Sequence, residues 1–216
     1  MKILVKYLHH ADFRSGEREQ GSRARAIYWR ESGFTLLELM ITITVAVILI
    51  SIAVPSYRST ILSSRLTTAT NDFVAAVNMA KLEAVRRNRA IQFCAGTAAG
   101  NGGDILGTAC GTSAGAVQVV ESDGITATKL YEAPKKPADI SVSAVTALRF
   151  GGQGLARKVG DASPTYTGLL VDISSDKIET NNHRCIYVTT GSTISTCSYT
   201  SALGGCPASE NSSTCK

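Results

Sequence analysis

The chain has 216 residues and a formal net charge of +5, with 22 basic against 17 acidic side chains. Residues 34–216 hold 15 of the basic and 13 of the acidic side chains, a net of only +2. Because nucleic-acid-binding proteins usually show a clear basic stripe, this balance argues against a dedicated nucleic-acid binder.

Residues 1–32 form a polar leader with a net charge of +3. Basic flanks of an apolar segment stay in the cytoplasm, so we expect the rest of the chain on the far side of a membrane. A secretory signal peptide ends in a small-residue cleavage site after its apolar centre. Here Gly33 precedes the apolar run and no such site follows it, which predicts that the apolar segment is retained.

Residues 34–57 are apolar except for Glu38 and a few hydroxyl side chains. A helix needs about 20 apolar residues to cross a bilayer core, and this segment has 24. Thr42, Thr44 and Ser51 can bond to carbonyls of the preceding turn, which makes them tolerable in lipid. We therefore interpret the segment as a transmembrane helix rather than a buried core helix.

The hexapeptide Gly33-Phe34-Thr35-Leu36-Leu37-Glu38 resembles the processing motif of type IV prepilins and type II secretion pseudopilins. In that family a membrane-embedded aspartyl peptidase cuts after the glycine and methylates the new amino terminus. The resemblance implies cleavage between Gly33 and Phe34 and N-methylation of Phe34. It also places Pro55 where many members kink the helix.

Glu38 would be the fifth residue after this cleavage. A lone carboxylate in an apolar helix is costly unless it is paired. In a filament whose N-terminal helices form a waterless bundle, Glu38 can pair with the free amino group of a neighbouring subunit's Phe34. We therefore expect Glu38 to drive or register assembly.

After Pro55 the apolar residues recur at spacings of three and four, which is typical of one face of an α-helix. We expect one helix from about residue 34 to about residue 89, about 84 Å long, with its second half against a globular head. The predicted buried face consists of Leu62, Leu66, Ala69, Phe73, Ala76, Val77, Ala80 and Ala84.

The segment 71–94 resembles the end of the first helix in the GspH/FimT subfamily of minor pilins and pseudopilins. There an Ala-rich helix with a basic end leads into a first strand. The matching residues are Lys81, Glu83, Ala84, Arg87 and Asn88.

The rest of the chain predicts an antiparallel β domain, so the expected fold class is α+β and pilin-like. The candidate strands are 90–95, 116–121, 125–132, 140–143, 147–150, 168–173, 184–189 and 193–198, separated by turn signals at 100–103, 123–124, 134–137 and 151–154. Ser122-Asp123-Gly124 predicts a hairpin. The expected organisation is a removed leader (1–33), an assembly helix (34–57), an amphipathic helix (58–89) and a β-rich domain with a disulfide-bonded tail (90–216).

All six cysteines follow the apolar segment, which fits disulfides in an oxidising compartment. Six cysteines permit 15 pairings, and nearest-neighbour pairing predicts Cys94–Cys110, Cys185–Cys197 and Cys206–Cys215. A zinc site is the alternative, but it favours closely spaced pairs and histidines, and no C-x-x-C occurs. We expect no metal and no cofactor.

The sequence does not predict an enzyme. His9 and His10 lie in the leader, so that a Ser-His-Asp arrangement would depend on His183. A single histidine at a strand start is more often an ordinary surface residue. The glycine-rich runs lack the Lys-Ser/Thr of a phosphate loop.

Two classes of function remain. The first is structural: a minor pilin in the initiation or tip complex of a type IV pilus, or a type II secretion pseudopilin. The second is capture of DNA for uptake, for which some FimT-like proteins use arginines after a glycine near the last strands. Here Gly191 is followed by five residues, none of which is basic. Residues that could contact DNA are Arg86, Arg87 and Arg89, whose simpler role is at a helix C-terminus, with Arg157 and Lys158.

These inferences also set the expected location and partners. The chain would cross the bacterial inner membrane once, with its C-terminal domain in the periplasm, and would then enter a filament or its tip. The expected partners are other pilins or pseudopilins, the prepilin peptidase and, in the second class, DNA.

Overall fold

The computed structural model describes residues 33–161, 165–201 and 204–210. It divides into two units, the first ending at Val45 and the second running from Ala46 to Lys216. Helix α1 spans Leu36–Arg87, in agreement with the predicted long helix to within two residues at each end. The leader, 1–32, and Cys215 lie outside the described residues.

The C-terminal end of α1 explains why the helix stops where it does. Asn88 has φ +48°, the left-handed conformation that commonly ends a helix. Its N–H donates to the carbonyl of Val85 at 3.3 Å, and the Arg89 N–H donates to the carbonyl of Ala84 at 3.2 Å. These two hydrogen bonds form a Schellman motif. They give partners to carbonyls that the helix itself leaves without a hydrogen bond.

The domain that follows consists of two antiparallel sheets, with strand orders β3-β2-β1-β5-β6 and β4-β7-β8-β9. The first sheet holds β1 (Ile91–Phe93), β2 (Val117–Val120), β3 (Ala127–Tyr131), β5 (Leu148–Phe150) and β6 (Ala156–Lys158). The second holds β4 (Ser141–Ser143), β7 (Gly168–Ser174), β8 (His183–Thr189) and β9 (Thr193–Tyr199). Between β1 and β2 lie two short helices, α2 (Ala98–Asn101) and α3 (Ile105–Cys110).

The predicted buried face of α1 is confirmed. All eight of its apolar residues are buried, and seven of them belong to one cluster with side chains from both sheets. Four of the eight are alanines. The fold is therefore the predicted α+β arrangement of a long helix with antiparallel sheets.

All eight predicted strands are present, and the predicted hairpin joins β2 to β3. Strand β6 was missed because it has only three residues, two of them the exposed Arg157 and Lys158. Such a short charged segment lacks the alternation that marks a strand. The predicted turn at 100–103 is partly wrong, because Gly100 and Asn101 lie in α2.

Asn101 organises the loop between β1 and β2. Its side chain is buried; Nδ2 donates to the carbonyls of Ala95, Thr97 and Gly111 at 3.0–3.1 Å, and Oδ1 accepts from the Ala95 N–H at 2.6 Å. A buried amide with all these partners stabilises one loop conformation. The Cys94–Cys110 disulfide closes the same loop.

Two leucines of α1 provide a matched test of this packing. Leu66 is 0% exposed and Leu82 is 65% exposed. Leu66→Ala should lower the free energy of unfolding by about 2–5 kcal/mol, because it leaves a cavity in the core. Leu82→Ala should change it by less than about 0.5 kcal/mol. Denaturation of the full chain in detergent, followed by near-ultraviolet circular dichroism, measures both; equal losses would contradict the assigned packing.

Candidate functional site

Phe34 and the first part of α1 present apolar side chains that no described residue covers. Phe34, Leu36 and Leu37 are each at least 68% exposed, and the large apolar side chains as far as Val54 are also exposed. The helix is long and apolar enough to cross a membrane by its length and composition. Such a surface is costly in water, so the segment requires lipid or other protein around it.

The start of α1 is capped by its own sequence. The Glu38 N–H donates to Thr35 Oγ1 at 3.2 Å, and the Leu39 N–H donates to the Thr35 carbonyl at 3.1 Å. The spacing Thr35-x-x-Glu38 is that of a capping box, and an acidic residue in the first turn also favours the helix dipole. Glu38 is thus suited to a capping role within its own helix, besides the role between subunits that the sequence predicts.

The hydroxyl side chains of the apolar segment donate hydrogen bonds to carbonyls of the preceding helical turn, as expected. Thr42 Oγ1 donates to the Leu39 carbonyl at 2.9 Å, and Thr44 Oγ1 to the Met40 carbonyl at 2.7 Å. Ser51 Oγ makes the same kind of bond at 2.7 Å. Helix α1 is continuous through position 55, so the kink at Pro55 stays a prediction.

The basic residues at the end of α1 are engaged within the chain. Arg86 Nη2 and Arg87 Nε each lie 2.7 Å from Glu83 Oε2. The Arg86 and Arg87 guanidinium groups lower the pKa of the Glu83 carboxyl. Arg89 Nη1 donates to the Val120 carbonyl at 3.2 Å. These contacts support the helix-terminus role that was the simpler interpretation of the three arginines.

Arg157 and Lys158 lie on the edge strand β6. A third basic residue, Arg149, lies on the neighbouring strand β5. Arg157 is the cross-strand partner of Arg149 on β5, and all three basic side chains line one open groove together with loop residues 151–153. Arg149 is already paired with Asp104, at 2.8 Å. An acidic residue, Asp161, also lines the groove.

The turn after β8 holds Gly191, the glycine at which a FimT-like DNA contact would begin. Gly191 has φ +73°, a conformation that favours glycine. Ser192 is buried: its carbonyl accepts from Lys81 Nζ at 3.0 Å, and its Oγ accepts from the Ala156 N–H at 2.7 Å. These hydrogen bonds hold the turn against the rest of the domain. The basic side chain that contacts the turn is Lys81 of α1, in the same chain.

The C-terminal tail crosses one face of the second sheet. The Leu169 N–H donates to the Ala208 carbonyl at 3.0 Å, and the Tyr187 hydroxyl donates to the Pro207 carbonyl at 3.0 Å. The Cys206 N–H donates to Asp172 Oδ2 at 2.9 Å. The tail thereby covers a cluster formed by Cys185, Tyr187 and Cys197.

The disulfide pairing is partly as predicted. Cys94–Cys110 is confirmed. The prediction of Cys185–Cys197 is wrong, because Cys185 pairs with Cys206; the predicted Cys206–Cys215 pair is wrong for the same reason. Cys185 and Cys197 are directly opposite on β8 and β9, but the returning tail brings Cys206 onto the same face. Cys197 is itself disulfide-bonded.

His183 is not the surface residue that the sequence predicted. Its side chain is 12% exposed, and its Nδ1 lies 2.7 Å from Oδ1 of Asp172, which is 3% exposed. His183 also contacts Tyr199 edge-to-face, with ring centroids 6.4 Å apart. Sequence reasoning missed this pair because Asp172 lies in an apolar strand, where an acid has no local signal of its partner.

Two family models match the chain. The model for type II transport protein GspH matches residues 69–193, more than half of the chain. The model for the prokaryotic N-terminal methylation motif matches residues 30–54. Neither a curated protein nor a solved structure matches it.

The long apolar helix, the antiparallel sheets and these two matches define a minor pilin or pseudopilin with a membrane anchor. The chain belongs to the GspH family. Proteins of this class are structural; they assemble with other pilins and are processed by a prepilin peptidase.

Tyr187 provides a pH test of the covered sheet face. Burial, and secondarily the negative charge of Asp172, raise the pKa of Tyr187 to about 12, from about 10 in the unfolded chain. The unfolded chain loses this proton at a lower pH than the folded chain. The contribution of neutral Tyr187 to the free energy of unfolding is therefore complete below pH 10 and should be lost as the pH rises from about 10 to 12.

The measurement is the free energy of unfolding against pH for wild type and Tyr187→Phe. The wild type should lose more stability than the variant over this pH range. Parallel curves for the two proteins would contradict a buried Tyr187 under the tail.

Proposed function

We propose that this chain is a minor pilin of the GspH/FimT subfamily that takes part in starting or capping a type IV pilus. Before assembly it is cut between Gly33 and Phe34, and its amino terminus is methylated. It crosses the inner membrane once, and the β-rich domain lies in the periplasm. The arrangement of residues 34–57 carries this proposal.

Three features of that segment support it. Its apolar side chains are exposed, it carries one acid in the first turn of α1, and the methylation motif model matches residues 30–54, which include most of it. Cleavage after Gly33 would leave an amino group two residues before α1 begins. A positive amine and Glu38 would then both lie at the apolar end of the helix, available to a second subunit.

The disulfides favour the periplasmic location of the domain. Cys94–Cys110 and Cys185–Cys206 lie within it, and disulfides persist in oxidising compartments. The Cys185–Cys206 disulfide also holds the C-terminal tail over one face of the second sheet.

A type II secretion pseudopilin is the second candidate. The description of the matched family, a type II transport protein, favours it. The two candidates share processing, anchor and assembly through Glu38, and they differ in the filament that receives the subunit. Surface pili and secreted enzymes, measured in a strain that lacks the chain, separate them: loss of pili supports the first candidate and loss of secretion with normal pili the second.

DNA capture is not included in the proposal. The turn at Gly191 presents no base and is bound to Lys81 and Ala156. Arg86 and Arg87 share Glu83, and the net charge of residues 34–216 is only +2. A phosphate backbone requires several free cations on one surface.

Processing gives the first test. Mass spectrometry of the chain purified from membranes should find an amino terminus at N-methylated Phe34. A Gly33→Val variant should keep the leader, since the peptidase cuts after a glycine, while Gly103→Val should be processed normally. A wild-type chain that retains residues 1–33, or that lacks the apolar helix, would contradict the proposal.

Glu38 gives the second test, because its two roles can be separated. Glu38→Gln keeps a side chain that suits a capping box but removes the charge that would pair with the neighbour's amine. An unpaired buried charge costs about 3–5 kcal/mol, so pilus formation should fall by more than about tenfold. Pili per cell, with immunoblots of membranes to confirm equal amounts of the chain, measure this.

Thr35→Ala is the matched control. It removes the cap and leaves the carboxylate, and it should cost only about 1 kcal/mol of helix stability. Normal piliation in Thr35→Ala with a loss in Glu38→Gln supports the pairing role. The opposite pattern would show that Glu38 acts within its own helix.

A further inference from the structure

Three side chains that can bind a metal converge beneath the tail. Asp172 on β7, His183 on β8 and Cys206 in the tail place their ligand atoms within 4.8 Å of one another. Asp172 and His183 are largely buried. The family processing and assembly described above use none of the three.

A fourth donor lies at the same place. Cys185 is the cross-strand partner of Asp172, and its sulfur is bonded to that of Cys206. Opening the disulfide would leave two thiols, one imidazole and one carboxylate at adjacent positions of β7, β8 and the tail. Four such donors form the closed tetrahedral set that Zn²⁺ prefers, with ligand bonds of about 2.0–2.3 Å.

Besides the disulfide, three hydrogen bonds hold the tail at this position. The Cys206 N–H binds Asp172 Oδ2, the Tyr187 hydroxyl binds the Pro207 carbonyl, and the Leu169 N–H binds the Ala208 carbonyl. These three hydrogen bonds hold Cys206 next to His183 and Asp172. We expect the same hydrogen bonds to keep Cys206 near these ligands when the disulfide is open.

We propose that the reduced chain binds one Zn²⁺ through Cys185, Cys206, His183 and Asp172, and that the Cys185–Cys206 disulfide later replaces the metal. A newly exported chain carries reduced thiols, so this form comes first. The metal would hold the tail on the sheet until oxidation makes the link permanent. The inference goes beyond the proposed pilus function and does not depend on it.

The chemistry balances as follows. Each thiol releases one proton when its thiolate binds Zn²⁺. On oxidation, the two thiolates give two electrons to a disulfide-bearing thiol oxidase, whose two sulfurs become thiols with two protons from water. The Cys185–Cys206 bond forms, the oxidase disulfide opens, and Zn²⁺ leaves because disulfide sulfurs are no longer thiolates.

The test uses the full chain in detergent, reduced with a phosphine, and Co²⁺ as a spectroscopic substitute for Zn²⁺. The reduced chain should bind about one Co²⁺ with the visible bands of a tetrahedral site and a thiolate charge-transfer band, and Zn²⁺ should abolish both. The oxidised chain should bind Co²⁺ more than about tenfold more weakly.

Two variants and one control assign the ligands. His183→Gln and Cys206→Ser should each weaken Co²⁺ binding by more than about tenfold. The double variant Cys94→Ser, Cys110→Ser should bind as the wild type does, because that pair lies in another cluster. Cys206 lies outside both sheets, so Cys206→Ser decides the matter if His183→Gln does not fold. Unchanged binding in Cys206→Ser, or no Co²⁺ bound by the reduced wild type, would overturn the proposal.

Discussion

Helix α1 must be stable in two surroundings, an apolar one along its first part and the β domain along its second part. The rest of the structure depends on this constraint. Its first part presents apolar side chains on all sides, and its second part presents an apolar stripe to the β domain. An α-helix satisfies its own backbone hydrogen bonds, so the same element is stable in lipid and against protein. The hydroxyls of Thr42, Thr44 and Ser51 bond within the helix and add no unpaired polar group.

The faces of the two sheets are covered in two different ways, by α1 and by the C-terminal tail. One cluster brings side chains of both sheets together with the alanine-rich stripe of α1. The outer face of the second sheet is covered by the tail, through three hydrogen bonds to backbone groups of the tail and the Cys185–Cys206 disulfide. A tail of small and polar residues could not bury enough apolar surface to stay ordered by itself. The three hydrogen bonds and the disulfide supply the missing stabilisation.

The same comparison explains where sequence-based prediction worked. The stripe from Leu62 to Ala84 was predicted in full because helical spacing alone decides which side chains share a face. The eight predicted strands were found because β-branched runs alternate and end at glycines. Strand β6 was missed because its pairing with β5 is decided by the neighbouring strand, and its own three residues carry no pattern.

The amino-acid sequence by itself determined the apolar anchor, its single acid at Glu38, the amphipathic stripe and most strands. Each of these depends on residues within a few turns of one another, where spacing fixes geometry. Only the tertiary structure decided that Cys185 meets Cys206 and that His183 lies against Asp172. Those contacts join β7, β8 and a returning tail, and the path of the chain through space, which no local spacing encodes, brings them together.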